Sequence, residues 1–245
     1  MRDHAPFHDA TLIVPVRALN DGKNRLAEIL TESERRQLIG AMLEDVIAAA
    51  TACPHIGLTL IVTEDDEAAQ LSVAAGAVVL RLGGVSGYNN CVRLAVDHVR
   101  AVRGGTIIVC PADVPFVQPH ELAAVAETAS VAGQIALVPA FDGGTNCIGL
   151  SPDAKLDFKF GNSSFEKHLA EAGRNELKSV VLELPGMAFD IDTPRQLEQL
   201  SLIQSNSKAS RLAETISCGR SWQDVKVTMP DAAFHAGRAD PQIQG

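Results

Sequence analysis

The chain has 245 residues, which is enough for one α/β domain with a large core, whereas two full domains would both be small. Hydrophobic residues make up 46% of the chain but aromatic residues only 4%, so the core must consist of Ala, Val, Leu and Ile, as in a parallel sheet covered by helices. The formal net charge of −9 and the lack of a basic stripe with interleaved aromatic residues argue against nucleic-acid binding.

The first part of the chain predicts strands that alternate with helices. The apolar run 11–16 predicts a strand, and the polar, Gly-containing loop 17–25 follows it. Apolar residues at spacings of three and four predict a helix over about 33–52, with Thr31 or Ser33 as its N-cap. A second strand over 58–62 precedes the acidic run 64–67, which suits a helix start because the helix dipole favours negative charge there.

The alternation continues and indicates the fold class. Strands separated by helical segments of this length imply right-handed crossovers, and therefore an α/β fold with a mostly parallel sheet in one domain and helices on both faces. Ligands of such sheets bind at the carboxyl ends of the strands. The remaining predicted strands cover 77–82, 106–110, 135–139 and 146–150, and the predicted helices cover about 89–102 and 119–132.

The end of the chain is predicted to be less regular. After the patterns over 180–184 and 190–202 the sequence becomes polar, with a Ser-rich segment over 201–210. We therefore expect one domain over residues 1–204 and a C-terminal extension over 205–245 that is partly disordered or docked on the surface.

Cysteine usage and hydropathy indicate the compartment. The five cysteines are odd in number and lack C-x-x-C spacing, so buried free thiols are a better interpretation than a zinc site or a disulfide framework. The first ten residues contain no apolar run, and no later stretch approaches the length of a membrane span. We expect a cytoplasmic protein that does not contact a membrane. The cysteines are Cys53, Cys91, Cys110, Cys147 and Cys218.

Asp113 is the first candidate for chemistry. It follows the predicted strand 106–110 and stands between Pro111 and Pro115. The stiff backbone projects its carboxylate from the carboxyl end of the strand, a position typical of a metal ligand. Capping of the helix that begins near Pro119 is an equally good interpretation of this residue alone.

Asp190 and Asp192 form a second acidic site, because they lie on the same side of an extended segment. Two carboxylates on one face repel each other unless a cation lies between them. Together with Asp113 they suit Mg²⁺, a hard cation that prefers oxygen ligands. For Asp192 alone, an N-cap of the helix that starts at Pro194 is the stronger interpretation, and Thr193 is the other candidate for that cap.

Lys23 and Arg25 lie in the loop after the first predicted strand. The loop lacks the spaced glycines and the Lys-Ser/Thr pair of a Walker motif. With two cations and Gly22 it can still wrap a triphosphate, the lysine as a point charge and the arginine as a fork. From the spacing alone, solvated surface charges remain the better interpretation.

Three short polar segments can present donors to a ligand. The segments 143–145 and 161–164 can offer backbone N–H groups to an anion, and either can be a plain turn. The third segment is 86–90, in which Asn89, at a loop-to-helix junction, can bind the edge of a base or cap a helix.

These loops contain motifs whose order along the chain is informative. They are Val14-Pro15-Val16-Arg17 with Gly22-Lys23-Asn24-Arg25-Leu26-Ala27, Gly87-Tyr88-Asn89, Ala112-Asp113-Val114-Pro115, Gly144-Thr145-Asn146, Phe160-Gly161 with Ser164-Phe165, and Phe189-Asp190-Ile191-Asp192-Thr193-Pro194. Taken together, they resemble the 2-phospho-L-lactate guanylyltransferase family, which includes the phosphoenolpyruvate guanylyltransferases of deazaflavin coenzyme biosynthesis. The resemblance covers about residues 12–200, and its specificity comes from the combination of weak motifs.

The resemblance implies a nucleotidyltransferase fold like that of the nucleoside-diphospho-sugar enzymes, with GTP as donor, Mg²⁺ as cofactor and pyrophosphate as a product. It also implies roles for individual residues. Mg²⁺ would be held by Asp113, Asp190 and Asp192, the triphosphate would meet Lys23 and Arg25, guanine would lie near Asn89, and the acceptor acid would bind Thr145, Gly161 and Ser164.

The expected function is transfer of GMP from GTP to a small phosphorylated acid, namely 2-phospholactate, phosphoenolpyruvate or phosphoglycerate. These substrates are the expected partners, and a homodimer is possible. Ser163 stands where Gly is common, and its added hydroxyl favours a hydroxylated acceptor such as phosphoglycerate. The alternatives are a nucleotidyltransferase with another nucleotide or a sugar-phosphate acceptor, and an inactive nucleotide-binding regulatory module. Three clustered carboxylates argue against the inactive module.

Overall fold

A seven-stranded sheet forms the centre of the computed structural model, which describes residues 10–19, 23–203 and 205–218. The strands are β1 (Ala10–Pro15), β2 (Ile56–Val62), β3 (Val78–Leu80), β4 (Ile107–Val109), β5 (Gln134–Pro139), β6 (Thr145–Leu150) and β7 (Lys178–Val181). Their order is β3-β2-β1-β4-β6-β5-β7. Neighbouring strands are parallel except where β6 pairs with β4 and β5. The expectation of a mostly parallel α/β sheet is confirmed.

Helices cover both faces of the sheet, as predicted. They are α1 (Glu32–Thr51), α2 (Asp66–Ala74), α3 (Tyr88–Val102), α4 (Pro119–Ala129), α5 (Ser164–Arg174), α6 (Pro185–Ala188), α7 (Pro194–Leu202) and α8 (Lys208–Ser217). A single 3₁₀ turn, Asn24–Leu26, follows the loop after β1. Within the described ranges, no helix combines the length and the apolar character needed to cross a membrane.

Alternate residues of the strands enter two separate cores. In β1, Leu12 and Val14 pack in the core that includes α1, α4, α7 and α8, whereas Ile13 packs in the core that includes α3 and α5. Most buried side chains in both cores are aliphatic, as the low aromatic content predicts.

The predicted helix starts are confirmed at α1 and α2. Thr31 caps α1 through a capping box, in which its hydroxyl accepts from the Glu34 N–H at 3.2 Å and the Glu34 carboxylate accepts from the Thr31 N–H at 2.8 Å. Asp65, within the acidic run, caps α2 by accepting from the Ala68 N–H at 2.8 Å.

Three helices lie where the sequence predicts none, namely the short α6 and the longer α5 and α8. α5 begins inside the segment 161–164 that was interpreted as a loop, and its buried face includes the polar residues Ser164 and His168, which weaken the apolar periodicity. α8 lies in the C-terminal extension, which was expected to be partly disordered or docked on the surface and for which no helix was predicted. Its buried face consists of Ala209, Ser210 and Ala213, which are too small to give a strong hydropathy signal. The rest of the predicted extension, residues 219–245, lies outside the described residues.

The cysteines differ in exposure. Cys53, Cys110 and Cys147 are buried free thiols, as predicted. The prediction is wrong for Cys91, which is partly exposed in the first turn of α3, and for Cys218, which is exposed at the end of α8.

Asp45 of α1 holds the start of α8. Its carboxylate accepts hydrogen bonds from the Ser207 hydroxyl at 2.7 Å and from the backbone N–H groups of Lys208 at 2.7 Å and Ala209 at 2.9 Å. Because a carboxylate at a helix N-terminus satisfies unpaired N–H groups, we expect Asp45→Ala to lower the free energy of unfolding by about 1–2 kcal/mol in urea titrations. Asp45→Asn keeps one acceptor and should lose less. An unchanged free energy of unfolding in Asp45→Ala would contradict this role of the α1–α8 contact.

Candidate active site

The candidate active site lies at the edge of the sheet where β1 and β4 end. Lys23 follows β1 in the chain, and Asp113 follows β4. β6 is antiparallel to β4, with Val109 opposite Ile148, so Thr145 at the amino end of β6 lies at the same edge. Three candidate residues therefore lie at this edge. Lys23 and Asp113 follow the carboxyl ends of parallel strands, and Thr145 lies at the amino end of the antiparallel strand β6.

The ammonium group of Lys23 lies between two carboxylates. Its Nζ contacts Asp113 Oδ2 directly and lies 2.5 Å from Asp192 Oδ1. The Lys23 side chain is only 8% exposed. Burial lowers its pKa, but the charges and hydrogen bonds of Asp113 and Asp192 outweigh burial, so the net pKa is raised and the ammonium stays charged. Lys23 is thus a buried cation and not a solvated surface charge.

The backbone of Lys23 is also unusual. Its φ of 60° lies in the left-handed region, which a residue with a Cβ adopts only at a cost of about 1–2 kcal/mol. Such outliers persist where the surrounding contacts enforce them, and they cluster at functional sites. Here the enforcing contacts are the two carboxylates.

Asp190 completes this first cluster as a buried carboxyl group. Burial and, to a smaller extent, the negative charges of Asp113 and Asp192 together raise its pKa to about 6, against the opposing effect of Lys23. The backbone joins the two acidic segments, because the Ile191 N–H donates to the Asp113 carbonyl at 3.1 Å. We call Lys23, Asp113, Asp190 and Asp192 the acidic cluster.

Helix capping does not account for Asp113 or Asp192. α7 is capped by Thr193, whose hydroxyl accepts from the Gln196 N–H at 3.3 Å. α4 is capped by Gln118, whose N–H donates to the Glu121 carboxylate at 2.9 Å. The capping interpretation of Asp113 and Asp192 is therefore wrong, and both carboxylates face Lys23 instead.

The acidic cluster has the donor chemistry that a hard divalent cation prefers. Three carboxylates supply oxygen ligands, and Lys23 is the one positive charge that the cluster sets against them. In the described part of the chain, no group of three His, Cys, Asp or Glu side chains is arranged to hold a metal ion, and two of the three carboxylates are turned to Lys23. The residue types fit Mg²⁺, and their role as its ligands stays a prediction.

A second cluster, which we call the hydroxyl pair, consists of Thr145 on β6 and Ser164 on α5. Both residues are buried, and the Ser164 hydroxyl lies 3.3 Å from Thr145 Oγ1. Thr145 Oγ1 also lies 2.9 Å from Nδ1 of His168, which is fully buried one turn after Ser164. The hydroxyl pair stands at the N-terminus of α5, where helix N–H groups and the dipole favour an anion.

Gly161 and Ser163 shape the loop before α5. Gly161 has a φ of 123°, which requires glycine, and Ser163 has a φ of 51°, which explains why glycine suits that position. Both residues are exposed, and the Ser163 side chain makes no capping bond to the helix. Ser163 is thus an exposed residue that directly precedes Ser164 of the hydroxyl pair in the chain.

Asn89 fixes the position of this loop. Its amide N–H donates to the Phe160 carbonyl at 3.2 Å, and its amide oxygen accepts from the Phe160 N–H at 2.8 Å. These bonds are neither a helix cap nor a contact with a base, which were the two roles considered for Asn89. A contact with guanine stays a prediction. Arg25 is exposed, and within the described residues no hydrogen bond or ion pair connects it to the acidic cluster.

Three rings pack in a row beside the hydroxyl pair. The ring of Tyr88 packs edge-on against Phe160 at a centroid distance of 5.2 Å, and Phe160 packs against His168 at 4.9 Å. Burial raises the pKa of Tyr88, and the negative charge of Asp113 raises it further.

The sequence analysis misses His168. Ser164 and His168 are four residues apart, so they share one face of a helix, but only a recognised helix makes that spacing meaningful. Because α5 was not predicted, the spacing of Ser164 and His168 gave no sign that their side chains lie together.

Comparison with known proteins gives two kinds of match. A family model described as guanylyl transferase CofC like matches residues 10–221. The chain is 35% identical over 190 residues to a phosphoenolpyruvate guanylyltransferase of Sphaerobacter thermophilus, covering 77% of the chain and 91% of the relative. It is 30% identical over 190 residues to a 2-phospho-L-lactate guanylyltransferase of Methanothermobacter thermautotrophicus, covering 78% and 83%. These matches confirm the resemblance that the motifs indicate.

Solved structures share the fold at low identity. A protein from Desulfovibrio desulfuricans described as a nucleotide-diphospho-sugar transferase superposes with a TM-score of 0.71 at 16% identity, covering 86% of this chain and 96% of that one. A nucleotidyl transferase from Methanothermobacter thermautotrophicus superposes with a TM-score of 0.60 at 15% identity, covering 84% and 98%. At these identities the likeness concerns the fold alone, and it confirms the predicted nucleotidyltransferase-like architecture.

Proposed function

The chain belongs to the CofC-like guanylyltransferase family, and we propose that it transfers GMP from GTP to a small phosphorylated carboxylic acid with release of pyrophosphate. Relatives named for phosphoenolpyruvate and for 2-phospho-L-lactate support this class of acceptor. The observation that carries the proposal is the position of the acidic cluster and the hydroxyl pair at one edge of the sheet.

The acidic cluster is assigned to the nucleotide. Lys23 supplies a buried positive charge at the place where a triphosphate would bring several negative charges, and the exposed Arg25 stands two residues further along with a guanidinium that can bind two phosphate oxygens. Asp113, Asp190 and Asp192 would hold Mg²⁺, which would neutralise phosphate charge and polarise the α-phosphate. These carboxylates would otherwise repel the nucleotide, so a cation is required for binding.

The hydroxyl pair is assigned to the acceptor acid. Thr145 and Ser164 offer hydroxyl donors, and the first turn of α5 offers backbone N–H groups. A three-carbon acid has its carboxylate close to its phosphate, so the carboxylate can bind here while the phosphate points to the acidic cluster. Gly161 has open space around its backbone, which lets a ligand approach closely.

The reaction needs no covalent intermediate. A phosphate oxygen of the acceptor forms a bond to the α-phosphorus of GTP, the bond from that phosphorus to the bridging oxygen of the β-phosphate breaks, and pyrophosphate leaves with the electron pair. An acceptor phosphate is already ionised near pH 7, so the reaction needs no side chain as a general base. The protein contributes positioning and charge stabilisation.

The test is a substrate panel on the purified protein. Each of the four nucleoside triphosphates is combined with Mg²⁺ and with 2-phospholactate, phosphoenolpyruvate, phosphoglycerate or a sugar phosphate, and pyrophosphate release is followed. We expect release with GTP and at least one acid, and loss of release when EDTA removes the metal. Release with a sugar phosphate and with no acid would overturn the proposal. Nucleotide binding without any release would instead favour an inactive binding module.

Ser163 is proposed to favour a hydroxylated acceptor such as phosphoglycerate. We expect Ser163→Gly to lower kcat/KM for phosphoglycerate about threefold to tenfold relative to phosphoenolpyruvate, the usual effect of one hydrogen bond. The same change should raise the free energy of unfolding by up to about 1 kcal/mol, because glycine adopts the left-handed φ of 51° without strain. Ser163→Ala separates the two effects, since it removes the hydroxyl and keeps the Cβ. An unchanged ranking of the acids in Ser163→Gly would refute this role.

A further inference from the structure

We propose that His168 is a positioning residue for the acceptor acid: its imidazole orients Thr145 and Ser164 so that their hydroxyl pair keeps one proton available for the carboxylate of the acid. The inference rests on the proposed function, because that function assigns the acceptor acid as the ligand of the hydroxyl pair. It adds a side chain that the substrate does not touch, since His168 is fully buried behind Thr145.

The contacts of His168 determine its tautomer. The backbone N–H of Lys159 lies 2.9 Å from Nε2, and a backbone N–H can only donate, so Nε2 must carry the lone pair. In a neutral imidazole the proton is then on Nδ1. Nδ1 lies 2.9 Å from Thr145 Oγ1, and it must therefore donate to that oxygen.

The tautomer leaves one proton of the network without an acceptor. The Nδ1–H group, the Thr145 hydroxyl and the Ser164 hydroxyl contribute one proton each. The Nδ1 proton is used on Thr145, and one hydroxyl proton is used in the 3.3 Å contact between Ser164 and Thr145. The remaining hydroxyl proton has no acceptor in the part of the chain that the structure describes, whichever hydroxyl carries it. A ligand that accepts hydrogen bonds completes the network, and a ligand that donates them does not.

The surroundings of His168 keep the imidazole neutral and fixed. Burial, with smaller contributions from the charges of Lys159 and Lys167, lowers the pKa of His168 to about 4. The ring of Phe160 packs edge-on at a centroid distance of 4.9 Å. The Nδ1 donor is therefore present and aimed at Thr145 throughout the neutral pH range.

Two substitutions separate the two sides of the imidazole. In His168→Gln the amide oxygen can reach the Lys159 N–H, but no donor remains at the position of Nδ1. In His168→Asn the amide N–H can stand at the position of Nδ1, but the Lys159 N–H loses its partner. We expect His168→Gln to raise KM for the acid about tenfold or more, as for a lost hydrogen bond to a charged group, with kcat at saturation and Kd for GTP changed less than about threefold. His168→Asn should bring KM for the acid back to within about threefold of the unsubstituted protein, even if it unfolds at lower temperature.

Several results would overturn the inference. An unchanged KM for the acid in a folded His168→Gln protein would do so, and so would equal increases in His168→Gln and His168→Asn, because a merely structural histidine would not distinguish them. The unsubstituted protein provides a measurement that needs no variant: two-dimensional ¹H–¹⁵N spectra of the imidazole should show a protonated Nδ1 and an unprotonated Nε2, and the opposite tautomer would contradict the inference. If the unsubstituted protein released no pyrophosphate with any acid, the proposed function would fail, and the assignment of a carboxylate ligand with it.

Discussion

Asp113→Asn is expected to reduce pyrophosphate release by about 10³-fold or more while the protein remains folded, because asparagine keeps the shape of the side chain and removes one charge from the proposed metal site. Lys23 retains its contact with Asp192, so the loop after β1 keeps one of its two ion pairs. Water reaches the Asp113 side chain, which is 26% exposed, so we expect the free energy of unfolding to fall by no more than about 1 kcal/mol. Asp113→Asn should therefore lose most of its activity while its free energy of unfolding changes little.

A matched control is Asp97→Asn. Asp97 lies on the exposed side of α3 and pairs with Arg93 at 3.4 Å, so the same chemical change occurs away from the site. Its turnover should equal that of the unsubstituted protein. Titration of Mg²⁺ against each variant adds a second readout, since only Asp113→Asn should need more metal for half-maximal activity. Near-normal turnover in a folded Asp113→Asn protein would remove Asp113 from the mechanism.

The hydropathy pattern predicts the sheet well because its central strands β1, β4 and β6 are buried on both faces. β1, for instance, is buried at every residue, and the loop that follows it is polar. The hydropathy pattern does not predict α5 and α8, because their buried faces consist of polar residues, such as Ser164 and His168, and of small residues. Their burial depends on what the rest of the fold packs against them, which a local pattern does not contain.

The candidate site was only partly predictable for a related reason. Asp113 follows an apolar strand that the sequence reveals, so its position at the carboxyl end of that strand follows from the fold class. Asp190 follows the short helix α6, and its place near Asp113 depends on the bond from the Ile191 N–H to the Asp113 carbonyl, which no local pattern contains. The burial of Lys23 did not follow, because a lysine in a polar loop looks solvated until its two carboxylate partners are known. The tautomer of His168 depends on a backbone N–H from another segment, and no spacing along the chain encodes that contact.

Lys23→Met should lower pyrophosphate release about 10²-fold to 10³-fold, the usual loss when one preorganised positive or donor group is removed from a site of developing charge. Methionine preserves most of the volume of the lysine side chain and removes its charge. If Lys23 acts on the triphosphate, the loss appears in kcat and in the affinity for GTP, whereas KM for the acid, bound at the hydroxyl pair, stays the same. Lys155→Met, on an exposed lysine, is the control and should leave all three quantities unchanged.

Stability measurements on Lys23→Met distinguish a role in chemistry from a role in holding the loop. Removing one partner of a fully buried ion pair lowers the free energy of unfolding by about 3–5 kcal/mol. Here Asp113 is 26% and Asp192 43% exposed, so solvent screens the carboxylates that remain, and we expect a fall of about 1–2 kcal/mol in urea titrations without nucleotide. The left-handed backbone of Lys23 should relax at the same time, because the contacts that enforce its φ of 60° are gone. If Lys23→Met loses stability but keeps its GTP affinity and kcat, then Lys23 only holds the loop in place and has no part in the transfer reaction.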